Sequence, residues 1–193
     1  MSGGTFFNVG TDHLGTHWLG FSPSVTYRPA SFLSVTGGVD WSHNVNDAQW
    51  IENTADGHYV FGHLDQTTVG ITARVNYTIT PQLTVQVYAQ PFVSAGDYAA
   101  FKELVDGRAA RYPDRYAPFA YASNPDFNYR SLRSTNVLRW EYKPGSALFL
   151  VWQQGRELVT SAADFQFGRD FHDMFGAPAT NVFLVKFSRW FNF

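Results

Sequence analysis

The sequence predicts an all-β fold, an antiparallel up-and-down transmembrane β-barrel of about eight strands that forms one domain over residues 1–193. Three observations point to it. Apolar and polar residues alternate with period two over long segments, most clearly over residues 66–93. The polar positions carry Thr, Gly, Asn, Gln and Ser rather than Lys and Glu, which suits a crowded polar interior. Short and long connections alternate, as in barrels with short periplasmic turns and long extracellular loops.

The hairpin over residues 66–93 is the clearest element. All odd positions from Val69 to Ile79 are apolar, and after a connection at 80–82 the pattern resumes on the same face from Leu83. The other face carries a single charge, Arg74. We therefore predict that the odd residues from Val69 to Ile79 contact lipid and that Arg74 points into the lumen.

The remaining strands follow from the same alternation. Strands are predicted over 4–10, 17–27, 33–51, 59–64, 128–142 and 148–156, and at the C-terminus, with short turns at 28–30, 80–82 and 143–145. The tip of a projecting hairpin is expected at 53–57. Two long loops cover 96–127 and 159–178. Within them, "AAFKELVDGRAARY" predicts one or two helical turns, and "DFQFGRDFHDMFG" a short helix.

Composition narrows the function classes. The formal net charge of −2 gives no indication of a nucleic-acid partner, and the absence of cysteine excludes disulfides and thiolate metal sites. The longest apolar run, at 147–152, is far shorter than the roughly 20 residues of a transmembrane helix, so a membrane protein of this sequence must cross as a barrel. The first residues do not resemble a signal peptide, and we expect a mature form or the C-terminal part of a longer protein.

Aromatic residues make up 18% of the chain and are expected to form two girdles at the membrane interfaces. The girdle residues, four near the short turns and two toward the long loops, are Tyr27, Tyr77, Trp140, Tyr142, Trp41 and Trp152.

The last strand ends on a phenylalanine and repeats apolar residues with period two, which looks like the C-terminal recognition strand of outer-membrane proteins. The predicted assembly signal is Phe183, Val185, Phe187, Phe191 and Phe193. Arg189 departs from the pattern, because it lies on the same face. We expect the barrel assembly machinery to bind this strand by β-augmentation.

Six charged residues are predicted to point into the lumen: Asp40, Arg74, Arg133, Arg139, Glu141 and Lys186. The favoured interpretation is a plug of side chains paired across strands, since an eight-stranded barrel is just wide enough to be filled by its own side chains. The alternative is a selectivity ring in a pore for small solutes.

Other polar clusters give no convincing site. His58 and His63 are five residues apart and point to opposite faces of a strand. The acidic and histidine residues of the second long loop match no metal-loop spacing; they are Asp164, Asp170, His172 and Asp173. A hydrolase at the barrel rim could use His63 with Asp65, or His172 with Asp170, but no nucleophile motif accompanies them. We expect no catalytic residue, metal or cofactor.

Several segments together resemble a bacterial family of unknown function, over nearly the whole chain after about residue 15. They include "SVTYRPASFLSVTGGVDWSHNVNDAQW", "YVFGHLDQTTVGITARVNYTITPQLTVQVYAQPFVSAGDY", "FKEL", "LRSTNVLRWEYKPGSALFLVWQQGRE" and "NVFLVKFSRWFNF". The resemblance implies a C-terminal outer-membrane β-barrel domain, often found behind a carbohydrate-binding domain. It implies no catalytic residues.

The first hypothesis is therefore a non-enzymatic integral protein of the bacterial outer membrane, with a structural, anchoring or display role. Its expected partners are outer-membrane lipids, the assembly machinery, and either carbohydrate or a partner outer-membrane protein. A small-solute pore is the alternative, and a rim hydrolase ranks lower. A soluble lipid-binding barrel is the rival at the level of the fold, and it predicts apolar residues inside.

Overall fold

Strands dominate the computed structural model, which describes residues 1–12 and 14–191. The long strands form where apolar and polar residues alternate, because only an extended chain separates such residues onto two faces. The strands are β1 Ser2–Thr11, β2 His17–Ala30, β3 Leu33–Asn53, β4 Tyr59–Thr80, β5 Leu83–Leu104, β6 Tyr116–Pro118, β7 Phe127–Lys143, β8 Ser146–Thr160 and β9 Ala179–Ser188. A 3₁₀ helix spans Tyr112–Arg115 and the helix α1 spans Phe167–Gly176.

All strand pairs are antiparallel and follow the order β1-β2-β3-β4-β5-β7-β8-β9. The three-residue β6 pairs with the last three residues of β5. The predicted up-and-down antiparallel sheet is confirmed, with β6 added to the expected eight strands. The predicted closure is not: the sheet is open, and β1 and β9 form its two edges among the described residues.

Three short turns connect strands at one end of the sheet, at residues 31–32, 81–82 and 144–145. The longer connections lie at the opposite end, and we call the two halves of the sheet the short-turn half and the long-loop half. Two predicted loop features are confirmed, the hairpin tip between β3 and β4 and the short helix α1. The prediction of one or two helical turns over 99–112 is wrong. β5 continues to Leu104 and pairs there with β4 and β6, and turns and bends follow up to residue 111. Strand pairing outweighs the local helical preference of this segment.

Neighbouring strands are staggered in a constant direction. The line of directly opposed residues that starts at β3 runs through Leu33, Tyr77, Val85, Leu138 and Leu150. This line starts at the first short turn. It crosses β4 and β5 two or three residues away from the ends of these strands at the second short turn, and it crosses β7 and β8 four or five residues away from their ends at the third. The stagger is therefore about one residue, or about 3.3 Å, per strand spacing of about 4.8 Å. If the short turns lie at one level, the strands tilt by about 35°, a value found in barrels.

The hydrophobic core lies between α1 and the sheet. Phe171 and Met174 of α1 pack with Val69, Val93 and Leu132 of three neighbouring strands. No helix among the described residues has the length and apolar character needed to cross a membrane.

Candidate functional site

The sheet has two chemically distinct faces. Directly opposed residues in neighbouring strands share a face, so the strand registers extend the predicted alternation across the whole sheet. The apolar face carries Phe21, Val35, Val75, Val87 and Leu150, and the polar face carries the intervening residues.

All six residues of the predicted lumen charge network lie on the polar face: Asp40, Arg74, Arg133, Arg139, Glu141 and Lys186. Arg139 and Glu141 form an ion pair at 2.7 Å, along one strand rather than across two. Arg74 lies 5.2 Å from the ring centre of Tyr88, and Lys186 lies 5.8 Å from that of Phe149. The structure thus brings two of the four cations, Arg74 and Lys186, onto aromatic rings of neighbouring strands instead of onto carboxylates.

The six predicted girdle residues all lie on the apolar face: Tyr27, Trp41, Tyr77, Trp140, Tyr142 and Trp152. Trp152 stacks on Phe183 of β9, and Tyr142 stacks on Phe187 of the same strand. Trp41 differs from the other girdle residues, because it packs against the core beneath α1.

The predicted assembly signal lies on the edge strand β9 and just after it. Phe183, Val185 and Phe187 share the apolar face and are 65–72% exposed. Phe191 follows the end of β9 and its ring lies against the guanidinium of Arg189. Phe193 lies outside the described residues.

A charge-free band covers the apolar face of the short-turn half. Moving away from the short turns, the first acidic or basic residues on this face are His43 on β3, Asp65 on β4, Asp97 on β5, Arg130 on β7 and Arg156 on β8. Before them the face carries no acidic or basic residue for at least the roughly 9–11 residues that a tilted transmembrane strand needs. Over the same length of the strands, apart from the residues next to the short turns, the charged residues lie on the polar face and are the six of the predicted lumen charge network.

The helix α1 lies on the apolar face directly at the upper limit of this band. Arg130 is 2% exposed and forms ion pairs with two carboxylates of α1, Asp170 and Asp173, each at 2.8 Å. Asn128 donates a hydrogen bond to Asp170, and Arg169 donates a further one at 2.8 Å. Each buried charge therefore has several partners, as burial of charge requires. Sequence reasoning missed this cluster, because nothing in the spacing of Arg130 indicates which loop covers it.

Because α1 covers this part of the sheet, the predicted lipid contact of the odd residues from Val69 to Ile79 is wrong for Val69. Its side chain is buried against Phe171 and Met174. Ile71 is partly buried and also packs against this core, whereas the odd residues from Ala73 to Ile79 lie on the band below α1.

A second cluster lies in the long-loop half and centres on Asp47 of β3. Its carboxylate accepts hydrogen bonds from Lys102 Nζ at 2.7 Å and from the Tyr112 hydroxyl at 3.0 Å, and it lies 3.3 Å from His63 Nδ1. Burial alone raises the pKa of Asp47, but these three partners outweigh burial and bring the pKa below its ordinary value. Burial and the neighbouring Asp47 carboxylate raise the pKa of Tyr112.

This cluster borders a cavity of about 530 Å³. Its polar groups come from Asp47 and Lys102, and its aromatic walls from Tyr112 and Tyr116, whose ring centres lie 5.4 and 4.8 Å from Lys102 Nζ. Ala100, in the same wall, has φ of +48°, a left-handed conformation that costs a non-glycine residue energy. A mainly apolar cavity with a few placed polar groups is typical of small-ligand sites.

The histidine–aspartate pairs that a rim hydrolase would use, His63 with Asp65 and His172 with Asp170, are not the contacts that the structure shows. His63 faces Asp47, while Asp65 lies 3.5 Å from His43. Asp170 is engaged by Arg130 and Arg169 in the buried cluster. His58 contacts Glu103, an interaction that raises the pKa of His58. No group of three or more histidine and acidic side chains suited to a metal occurs within residues 1–12 and 14–191.

Comparison with known proteins identifies the family. A family model described as a domain of unknown function, DUF5916, matches residues 5–193, and the chain belongs to this family. No curated protein and no solved structure matches the chain.

Proposed function

We propose that this domain is an integral β-barrel protein of a bacterial outer membrane, which anchors and displays its long-loop half without catalysing a reaction. The observation that carries the proposal is the charge-free band. Charges would be distributed over both faces of a sheet that met water on both sides, whereas a lipid-facing surface excludes them.

The stagger of the strands supports the same conclusion. A tilt of about 35° is within the range of transmembrane barrels when the short turns are level, as they are at one membrane interface. The two edge strands also need partners, since open edges do not occur in lipid. Eight strands of alternating direction make β1 and β9 antiparallel, so they can pair directly or through an even number of further strands.

The display role follows from strand length. β4 and β5 have 22 residues each, about twice the length of a membrane-spanning strand. Their upper halves project beyond the band and carry the cavity beside Lys102 and Tyr112. A carbohydrate or a second outer-membrane protein as the occupant stays a prediction of the family resemblance.

The test places one arginine on each face of β4 in the middle of the band. Val75→Arg should weaken folding into lipid bilayers by about 2–4 kcal/mol, the cost of a lipid-facing arginine near the midplane. Thr72→Arg, on the polar face, should cost much less. Urea titrations of the protein refolded into phosphatidylcholine vesicles measure both. Equal effects of the two substitutions would contradict the proposal, as would a native fold reached in buffer without lipid or detergent.

A further inference from the structure

We infer that α1 is a membrane-surface helix, whose aromatic edge lies in the headgroup region of the lipid that surrounds the barrel. The inference rests on the proposed function, because it requires the apolar face of the sheet to face lipid. It assigns a lipid-contacting role to residues of the second long loop, which lies outside the strands of the band.

The position of α1 relative to the band is fixed by its contacts. Phe171 and Met174 cover Val69, Val93 and Leu132, which lie on the apolar face at the top of the band. The next residue on the same face of β7, two positions farther from the short turns, is the charged Arg130. The helix therefore lies across the strands where the charge-free surface ends.

The orientation of α1 about its own axis is fixed as well. Arg130 lies beyond Leu132 as seen from the short turns, and its partners on α1 are Asp170 and Asp173. The acidic edge of α1 therefore points away from the band. Met174, by contrast, packs in the cluster with Leu132, so the opposite edge points toward the band.

That opposite edge is aromatic. Phe167, Phe171 and Phe175 are spaced by four residues and so follow one another along one edge of the helix. Phe171 is buried, while Phe167 is 60% exposed and Phe175 is 54% exposed. The ring of Phe167 stacks on that of Phe171 with centres 4.5 Å apart. Two exposed phenylalanines thus continue the apolar surface of the band upward onto α1.

The chemistry of this surface fits a lipid interface. A helix with apolar rings on one edge and charges on the other lies in the plane of the headgroups, with its apolar side toward the acyl chains. The helix is also held in place without lipid, because Arg156 donates a hydrogen bond to the Phe175 carbonyl at 2.7 Å and Arg169 binds Asp164 at 2.9 Å. Lipid binding therefore does not have to supply the energy that orders α1.

The test uses nitroxide labels, which the absence of cysteine makes selective. Single-cysteine variants Phe175→Cys and His172→Cys place a label on the aromatic edge and on an exposed position of the same helix. Val87→Cys places a third label in the band. The labelled full chain is refolded into vesicles of phosphatidylcholine and phosphatidylglycerol, and electron paramagnetic resonance compares accessibility to oxygen and to a water-soluble nickel complex.

We expect the label at position 175 to lie about 5–10 Å below the phosphates, with oxygen access exceeding nickel access, and the label at 172 to lie in water. Phe167→Cys should reproduce the result of Phe175→Cys. Water-like labels at 167 and 175 beside a lipid-like label at 87 would overturn this inference and leave the barrel proposal standing. A water-like label at 87 would overturn both. Shielding of 167 and 175 from both reagents would indicate contact with a second protein copy and overturn the lipid assignment.

Discussion

The short-turn half and the long-loop half of the sheet share one alternating pattern but differ in how they treat charge. In the short-turn half the apolar face is charge-free, and the ion pair found among the described residues is Arg139 with Glu141, both partly exposed. In the long-loop half charges appear on both faces and are bound by several partners, as Arg130 and Asp47 are. Under the proposed function, the difference corresponds to two surroundings, lipid for one half and water or covering loops for the other.

The comparison also shows a limit of alternation as a signal. A period-two pattern separates two faces, but it does not say what covers either of them. Val75 and Val69 occupy equivalent positions on β4, six residues apart. Val69 is buried by α1, whereas Val75 lies on the band below the helix.

The largest expected loss of stability comes from replacing an arginine by methionine in the long-loop half, compared with the same replacement in the short-turn half. Arg130→Met leaves Asp170 buried without its main cation, and breaking a buried pair in this way costs about 3–5 kcal/mol. We expect a loss of free energy of unfolding near the lower end, about 3 kcal/mol, because Arg169 keeps its hydrogen bond to Asp170. Urea titration of the refolded protein measures the loss.

The matched control is Arg139→Met in the short-turn half. The side chain of Arg139 is 38% exposed and its pair with Glu141 lies along one strand, so the change should be small. A loss at Arg139 as large as at Arg130 would remove the distinction between the halves. Replacing Arg130, Asp170 and Asp173 together by apolar residues should restore much of the stability, since no buried charge then remains uncompensated.

The strands were predictable because alternation is local, and the registers follow from it once the short turns are placed. The placement of α1 was not predictable, because Phe171 and Met174 contact strands that are distant in sequence. The clusters around Arg130 and Asp47 share this property, because Asp173, Lys102 and Tyr112 lie 43, 55 and 65 residues from the residue that each of them binds. The extension of β5 to Leu104 was missed for a related reason, since its pairing partners lie in β4 and β6.

A smaller effect tests whether α1 belongs to the stable structure of the long-loop half. Met174 is fully buried between α1 and the sheet, and Met174→Ala leaves a cavity there. We expect a loss of about 2–3 kcal/mol, the lower part of the usual range for this substitution, because a surface helix can settle partly into the space. Amide hydrogen exchange should show faster exchange in α1.

Val87→Ala in the band is the control for Met174→Ala. Val87 is 36% exposed in the structure, and in the proposed barrel lipid can fill the space that the substitution leaves. Its effect should be clearly smaller and should leave exchange in α1 unchanged. Faster exchange in α1 after Val87→Ala would mean that packing in the band contributes to the stability of α1, so that the two halves are not independent.

The smallest expected effect concerns the Asp47 cluster and depends on pH. The pKa of Asp47 lies below its value of 3.8 in an unfolded chain, because its hydrogen bonds favour the carboxylate over the acid. The stability it contributes is therefore fully present well above pH 3.8 and is lost as the pH falls through the folded pKa.

Asp47→Asn should cost about 1 kcal/mol at neutral pH, since the pair with Lys102 is partly exposed, and the difference from the unsubstituted protein should shrink in acid. Urea titrations at about pH 7 and about pH 3 measure it. Asp65→Asn, at a more exposed carboxylate, should cost less than Asp47→Asn at neutral pH. A cost of Asp47→Asn that stayed constant or grew in acid would mean that the carboxylate charge does not stabilise the long-loop half.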